Sequence, residues 1–356
     1  MKNKVKFALN ILGIVVATLV LLFMVLAFIV SKVLLDDMFG RAEHDVSLSV
    51  DFSEEDMEAR GYNRKPVSFD SEGNTLYGNV WGDTNGDKLV VIAHGIGNYA
   101  NGYYNEMAYF VDEGYCVMTY NCTGTYTSEG KGTTGLSQSP IDLHNALLFV
   151  ESDPDLKDKD VYLFGHSWGG HAVTAVLNYE HKNIKAVASV AGYNSNGGIM
   201  LEWMKYKMGM GGGAYVIFPF AAICSYPEAH GKYNYTGVGG INKVDIPVLA
   251  VQGGNDDTVF EDSIYSHYLL GDITNEKFEY VFYDNGTHSG VLMSEDPDKV
   301  DYRKEVSQKY DELTEKYNGK IPEDALKKFY SEIEKDKYNG VNEATMSEVS
   351  KFFEKA

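Results

Sequence analysis

Along its length the chain passes through three regimes of hydrophobic patterning. The first is a single apolar block in which no side chain from Phe7 to Ser31 carries a charge. About 25 helical residues extend about 37 Å, more than the roughly 30 Å of a bilayer's hydrocarbon, so the block predicts a membrane-spanning helix. The second regime begins near Pro66, where short apolar runs alternate with Gly, Asn and Asp turns. Residues 67–70 and 75–81 read as a hairpin around Ser71-Glu72-Gly73-Asn74. Residues 89–93, 115–120, 161–164, 186–190, 248–251 and 278–283 read as further strands. Leu89-Val90-Val91-Ile92-Ala93 is continuous rather than alternating, as in strands covered on both faces. Residues 104–113, 141–150 and 168–180 carry helical patterning between those strands. Such alternation requires crossover connections, and it predicts an α/β fold with a mostly parallel central sheet flanked by helices.

The third regime covers residues 296–342, dense in Lys, Glu and Tyr at helical spacing, with Pro322 opening a second helix. Its charge runs read as solvated faces. Residues 343–356 then place Met346, Val349, Phe352 and Phe353 on one helical face, which predicts a return to the sheet. Within the second regime, residues 192–243 interrupt the alternation with Gly, Tyr, Met and Phe and read as a cap insertion over the carboxyl edge of the sheet. The run 208–213 reads as its mobile part. The expected organisation is an N-terminal transmembrane anchor at 1–35, a polar and acidic juxtamembrane stalk at 36–61, and one large domain at 62–356. That domain holds the cap at 192–243, the charged helical insertion at 296–342 and the final helix at 343–356.

Charge refines this picture. Lys2, Lys4 and Lys6 precede the apolar block while Asp36 and Asp37 follow it, with Lys32 as a minor counterweight. The positive-inside rule then places the amino terminus in the cytoplasm and the large domain outside, as a single-pass protein of the cell membrane. A cleaved signal peptide would have an apolar region of about 7–15 residues ending in a small-x-small site, which Ala27-Phe28-Ile29 does not supply. The formal net charge of -20 offers phosphate backbones nothing to attract, so nucleic acid is not an expected partner. Cys116, Cys122 and Cys224 cannot form a full disulfide framework; the first two lie roughly 20 Å apart along one extended segment and read as buried free thiols.

The candidate chemistry centres on residues 161–170, where a strand-like run leads through Gly165-His166-Ser167-Trp168-Gly169 into helix-like sequence. A serine hydroxyl attacks a carbonyl only if it stands clear of its backbone, beside a base and beside N–H groups for the developing oxyanion. A strand-to-helix turn with small residues two before and two after the serine supplies that geometry. Ser167 is therefore the candidate nucleophile. A carboxylate and a histidine are then required, in that chain order. Asp256, in the turn after residues 248–251, is the preferred acid, with the adjacent Asp257 as its rival; His288, in the loop after residues 278–283, is the base. His166 and His171 read as packing or pocket-lining residues. Two backbone donors complete the set: the N–H of Trp168 at a helix start, and that of Ile96 in the turn His94-Gly95-Ile96-Gly97. No His-Glu-x-x-His or Cys-x-x-Cys spacing suggests a metal, and no cofactor is expected.

These residues resemble the α/β-hydrolase superfamily, over roughly residues 62–290 and the final helix. Within it the chain looks most like bacterial serine aminopeptidase-like and prolyl-oligopeptidase-like hydrolases. Gly253-Gly254-Asn255-Asp256-Asp257-Thr258-Val259 matches that family's Gly-x-x-Asp-x-x-Val turn, which favours Asp256 over Asp257. Residues 119–130 stand where such proteins commonly carry an Asp-x-x-Gly-x-Gly-x-Ser loop, with Asn121 in place of the Asp. The resemblance implies an α/β-hydrolase fold and serine-hydrolase machinery and says little about substrate; joined to the apolar block and the Tyr/Phe/Met-lined cap, it gives the expectation of a membrane-anchored serine hydrolase acting through an acyl-enzyme on esters of modest size. An aminopeptidase for short peptides is the alternative, with Glu202 and Glu228 as candidate partners for a free amino terminus, each expected to be solvated. A catalytically silent binding protein at the cell surface is the alternative from another class.

Overall fold

The computed structural model describes residues 2–133, 135–228, 235–260, 267–268 and 272–356. Helix α1 (Lys2–Met38) leads through a 3₁₀ turn into the short α2 (Glu54–Ala59), capped by Ser53 and Asp56 in a capping box. The sheet then starts with β1 (Arg64–Ser71) and β2 (Asn74–Trp81), paired antiparallel from Arg64↔Trp81 to Ser71↔Asn74. Their turn is only two residues, with Glu72 at φ 50° and Gly73 at φ 85°. Positive φ at both positions matches the twist of the flanking strands, so the hairpin closes more tightly than its sequence suggested.

Strands and helices alternate from there: β3 (Lys88–Ala93), α3 (Tyr104–Asp112), β4 (Cys116–Tyr120), α4 (Gln138–Ser152), β5 (Asp160–His166), α5 (Trp168–Ala175) and β6 (Ile184–Val190). The interruption between β6 and β7 contains α6 (Asn196–Glu202), α7 (Ala214–Glu228) and α8 (Gly237–Ile241). The sheet closes with β7 (Val248–Gly253) and β8 (Phe278–Tyr283), followed by α9 (Pro297–Lys316), α10 (Glu323–Ser331), α11 (Lys335–Tyr338) and α12 (Glu343–Glu354). The eight strands stand in the order β1-β2-β4-β3-β5-β6-β7-β8, with β2 antiparallel to both of its neighbours and parallel pairing from β4 through to β8. Because β4 lies on one side of β3 and β5 on the other, the chain changes direction across the sheet at β3. Ligands of open α/β sheets bind at the carboxyl ends of strands beside such a point.

Both faces of the sheet are buried. Leu89, Val91, Val161 and Leu163 point into one core with α4 and α5, while Val90, Ile92, Tyr162 and Phe164 point into a second with α3 and α12. The period of two along each strand thus divides residues that are apolar in both registers. In the second core Phe353 stacks on Phe110 with ring centroids 5.9 Å apart, which fastens the carboxyl-terminal helix to the sheet. α9 buries only Val306 and carries exposed pairs such as Lys309 with Glu305. All three cysteines are buried.

Residues 36–61, expected as a stalk, lie against the large domain. Phe39 belongs to the first core, and Phe52 and Met57 to the second. The Arg41 guanidinium donates to the carbonyls of Ser128, Gly130 and Tyr126. These partners lie far along the chain, so the local polar composition concealed them.

Candidate active site

β5 ends at an obligatory turn. Ser167 has φ 58° and ψ -114°, a backbone conformation that costs an L-residue of order 1–3 kcal/mol and persists only when its surroundings impose it. Two glycines allow the imposition. A Cβ at Gly165 would stand 2.2 Å from the Gly169 carbonyl oxygen, and one at Gly169 would stand 1.9 Å from that of Ala93. Strand and helix approach too closely for any side chain at either position. The Ser167 N–H donates to Val190 O at 2.9 Å, which fixes the turn to β6. Immediately afterwards α5 begins, and its first N–H, that of Trp168, has no carbonyl behind it within the helix.

The loops after β7 and β8 bring two further side chains to this rim. His288 Nε2 lies 2.9 Å from Ser167 Oγ, and His288 Nδ1 lies 2.8 Å from Asp256 Oδ2. With a carboxylate facing Nδ1, the neutral ring carries its proton there, and Nε2 is left as the acceptor for the serine hydroxyl. Asp256 is itself held: Oδ1 accepts the N–H groups of Thr258 and Val259, both at 2.8 Å, and Oδ2 accepts Gln252 Nε2 at 3.0 Å. Its neighbour Asp257 faces the other way, exposed, with Lys207 Nζ at 2.9 Å. Two adjacent aspartates therefore occupy opposite environments.

The turn after β3 flanks the serine. A Cβ at Gly95 would lie 3.6 Å from Ser167 Cβ, and Gly97 reverses the chain at φ 69°. Ile96 sits between them, partly buried against the core cluster that contains Trp168. A hydrogen-bond chain absent from the expected site joins this turn to the histidine. The Gly95 N–H donates to Tyr103 Oη at 2.9 Å, and Tyr103 Oη lies 3.0 Å from His166 Nδ1. His166 Nε2 lies 2.9 Å from the His288 carbonyl oxygen, which only accepts. Hence Nε2 carries the proton and Nδ1 accepts from the tyrosine. Burial depresses the His166 pKa to about 4, so the ring stays neutral and this arrangement is stable near neutral pH. His166, expected as a packing or pocket-lining residue, lies in this chain and also lines a cavity with Tyr103 and Ser289. A histidine at a strand position where a buried apolar residue would serve was its signal, whereas Tyr103 gave none. His171 is fully buried, stacked on Tyr193, with Nδ1 3.0 Å from the Tyr193 carbonyl.

Around the rim, Asn121 Oδ1 accepts the Ala100 N–H at 2.9 Å and its Nδ2 donates to Thr127 at 3.1 Å, so the substituted loop is tied on both sides. Asp142 gathers Ser71, Thr123 and Gln138, and burial pushes its carboxyl up to about 6 against those hydrogen bonds. Glu106, on α3 behind Tyr103, is pushed up to about 7 by burial. Glu202, expected to be solvated, is buried at the end of α6, where the chain passes directly into the π-turn Trp203–Lys207. The Glu228 side chain lies outside the described residues. Among the described residues no three His, Cys, Asp or Glu side chains gather as a metal site.

A family model described as serine aminopeptidase, S33, matches residues 84–212, from β3 through the turn at Ser167 into the cap. No curated protein matches the chain. Among solved structures, an esterase from Pyrococcus furiosus aligns in one crystal form with a TM-score of 0.55 at 17% identity, covering 78% of this chain and 98% of that one. In a second crystal form the TM-score is 0.51 at 18% identity, with the same coverage. At such identities the likeness is one of fold. The sheet order, the glycine-flanked turn at Ser167 and the family match agree: the chain has the α/β-hydrolase fold and the equipment of a serine hydrolase.

Proposed function

We propose that the chain is an ester-cleaving serine hydrolase held in the cell membrane by α1, with Ser167 as nucleophile, His288 as base and Asp256 as the carboxylate that orients it. His288 Nε2 takes the hydroxyl proton as Oγ attacks the ester carbonyl, and the N–H groups of Ile96 and Trp168 receive the oxyanion. The protonated histidine then gives its proton to the departing alkoxide, leaving an acyl group on Ser167. A water molecule, deprotonated by the same ring, attacks the acyl carbon and releases the carboxylic acid. Asp256 stays ionised throughout and stabilises the imidazolium. The observation that carries the reading is the unbroken run of contacts, 2.8 Å and 2.9 Å, from Asp256 through His288 to Ser167.

Esters are favoured because the fold neighbours are described as esterases and because the cap beside the site is apolar. The description of the matching family favours a second reading, a serine aminopeptidase of short peptides, by the same covalent route. α1 is the one helix among the described residues long and apolar enough to cross a membrane, and the lysines before it support an outward-facing domain. Stopped-flow release of p-nitrophenol from p-nitrophenyl acetate tests the mechanism. We expect a burst of about one equivalent per chain followed by slower turnover, and neither phase with Ser167→Ala. Turnover that survives Ser167→Ala contradicts it, and faster cleavage of aminoacyl amides than of any ester selects the second reading.

A further inference from the structure

We propose that α7 lies in the outer leaflet of the membrane that α1 crosses, and that the ester cleaved at Ser167 belongs to an amphiphile dissolved in that leaflet. The position of α7 rests on the reading of α1 as a membrane span, and the substrate class also rests on the hydrolase reading above.

From Gly211 to Ser225 no side chain is charged, and apolar residues face every side of the helix. A helix of that kind belongs in a closed core or in hydrocarbon. Here the core does not close around it: Tyr215, Val216 and Ile223 are exposed, Val216 by 54% and Ile223 by 60%. The other side of α7 packs along α1. Phe220 meets Phe23 edge to face with ring centroids 6.3 Å apart. Further along, Ile217 and Ala221 share an apolar crevice with Leu34, Leu35 and Met38 of α1. α1 buries Ala27, Ser31 and Leu35, one residue per turn, so the anchor presents a consistent face to the cap.

The level of this contact decides what surrounds it. The charge-free stretch Phe7 to Ser31 has Leu19 at its midpoint, and Phe23 lies four residues beyond, about 6 Å along the axis. The hydrocarbon reaches about 15 Å to either side of its centre. Phe23 is then well inside the outer leaflet, and Phe220, which touches it, is inside as well. α1 cannot cross a bilayer in this conformation while α7 remains in water.

The cap also leads to the site. Lys207, before α7, pairs with Asp257, and Trp203 Nε1 donates to Thr258 O at 3.2 Å, both beside the Asp256 carboxylate. Trp168, Met200, Met204, Ala214, Ala221 and Leu35 belong to one packed apolar cluster, with Ile96 and Ile217 partly buried against it. The cap that α7 builds is thus apolar up to the turn and helix start that carry the two N–H groups assigned to the oxyanion, a surface suited to an acyl chain. A small ester arriving from water needs no such surface.

The test uses the full chain in phosphatidylcholine vesicles. Ile223→Trp places a fluorophore on the outer face of α7, while in the wild type Trp81 and Trp168 are buried and Trp203, partly buried in the cap, sets the background. With acyl-brominated phosphatidylcholine we expect quenching of the Ile223→Trp protein clearly beyond that of the wild type. Quenching equal to the wild type overturns the position of α7, whether water or a second copy of the chain covers it. Activity tests the substrate class separately, with p-nitrophenyl palmitate dissolved in the vesicles against p-nitrophenyl acetate in water. In the double variant Val216→Lys and Ile223→Lys, the palmitate-to-acetate rate ratio should fall by about tenfold or more, since lysines resist the hydrocarbon. Because acetate turnover in the same sample reports folding, an unchanged ratio overturns the substrate class. So does a wild type that cleaves acetate but not vesicle-borne palmitate. Cleavage of neither by the wild type overturns the hydrolase reading and the substrate class with it, and leaves the quenching result to decide where α7 lies.

Discussion

The rim around Ser167 and the cap beside it are held together by different physics. At the rim each polar group is fixed from two or more sides: Asp256 accepts three protein donors besides the histidine, and His166 bridges Tyr103 to His288. Backbones there approach so closely that only glycine fits at 165 and 169. The cap rests on apolar contacts, with few polar ties such as Lys207 to Asp257 and Asn196 Nδ2 to Ser137 Oγ at 2.9 Å. Directional bonds and steric exclusion set atoms to within fractions of an ångström, as acyl transfer demands. Apolar packing tolerates exchange of similar volumes and suits a surface that admits chains of varied length. Small changes at the rim should therefore have large effects, and comparable changes in the cap small ones.

The adjacent aspartates give the strongest contrast. Asp256→Asn should lower kcat by about 10⁴-fold, because the amide no longer holds the histidine in the tautomer that accepts the serine proton. Asp257→Asn, one residue along and facing Lys207, should leave kcat within about twofold, since exposed pairs contribute about 1 kcal/mol or less. Equal losses in the two variants would erase the distinction between rim and cap. Next comes Gly169→Ala, whose Cβ would meet the Ala93 carbonyl at 1.9 Å. It should cost about 3 kcal/mol or more in urea unfolding, at the upper end of overpacking. An alanine at 169 without such a loss would show that strand and helix are free to separate.

Tyr103→Phe sharpens the comparison within the rim. It strips the Gly95 N–H of its acceptor and His166 of its donor, with an expected loss of about 1–3 kcal/mol in stability. If the chain also positions His288, kcat should fall by about tenfold with little change in KM. A loss of stability alone would make Tyr103 merely structural.

Behind the rim the expected effect is a pH dependence of stability rather than a loss of rate. The Glu106 carboxyl titrates at about 7 in the fold against an ordinary 4.5. Below about pH 4.5 both folded and unfolded states hold its proton. Between about pH 4.5 and about 7 the unfolded chain releases it first, so stability falls as pH rises and levels off above about 7. The total is on the order of 3 kcal/mol. Denaturation curves of the wild type and Glu106→Gln across this range should differ in slope, the variant being the flatter; parallel curves would mean that the carboxyl is ionised inside the fold.

Much of this division could be read before any coordinates. Residues 89–93 and 161–164 announced a two-sided sheet because both alternating registers are apolar, and Gly165 and Gly169 announced the turn because no other residue fits there. Ser167 stood out as the serine of a glycine-flanked turn from an apolar run into a helix, and Asp256 and His288 because each lies in a polar loop that closes an apolar run. What escaped reading depends on contacts between distant segments. The Ala27, Ser31 and Leu35 face of α1 was hidden because its surroundings are apolar in every direction and show no period. Arg41 looked like one charge in a polar stretch, yet its partners are carbonyls more than eighty residues later. Glu106 lies on a helical stretch whose buried face could be predicted and Tyr103 just before it, but nothing local says that one hydroxyl reaches both Gly95 and His166.

The central claim is that Ser167 is a nucleophile activated across the sheet's rim by His288. Reaction of the full chain with a fluorophosphonate, followed by mass spectrometry of the modified peptide, tests it most directly. We predict one phosphonylated residue per chain, located at Ser167, absent in Ser167→Ala and formed far more slowly in His288→Ala. No adduct on the wild type, or an adduct that persists in Ser167→Ala, would contradict the account.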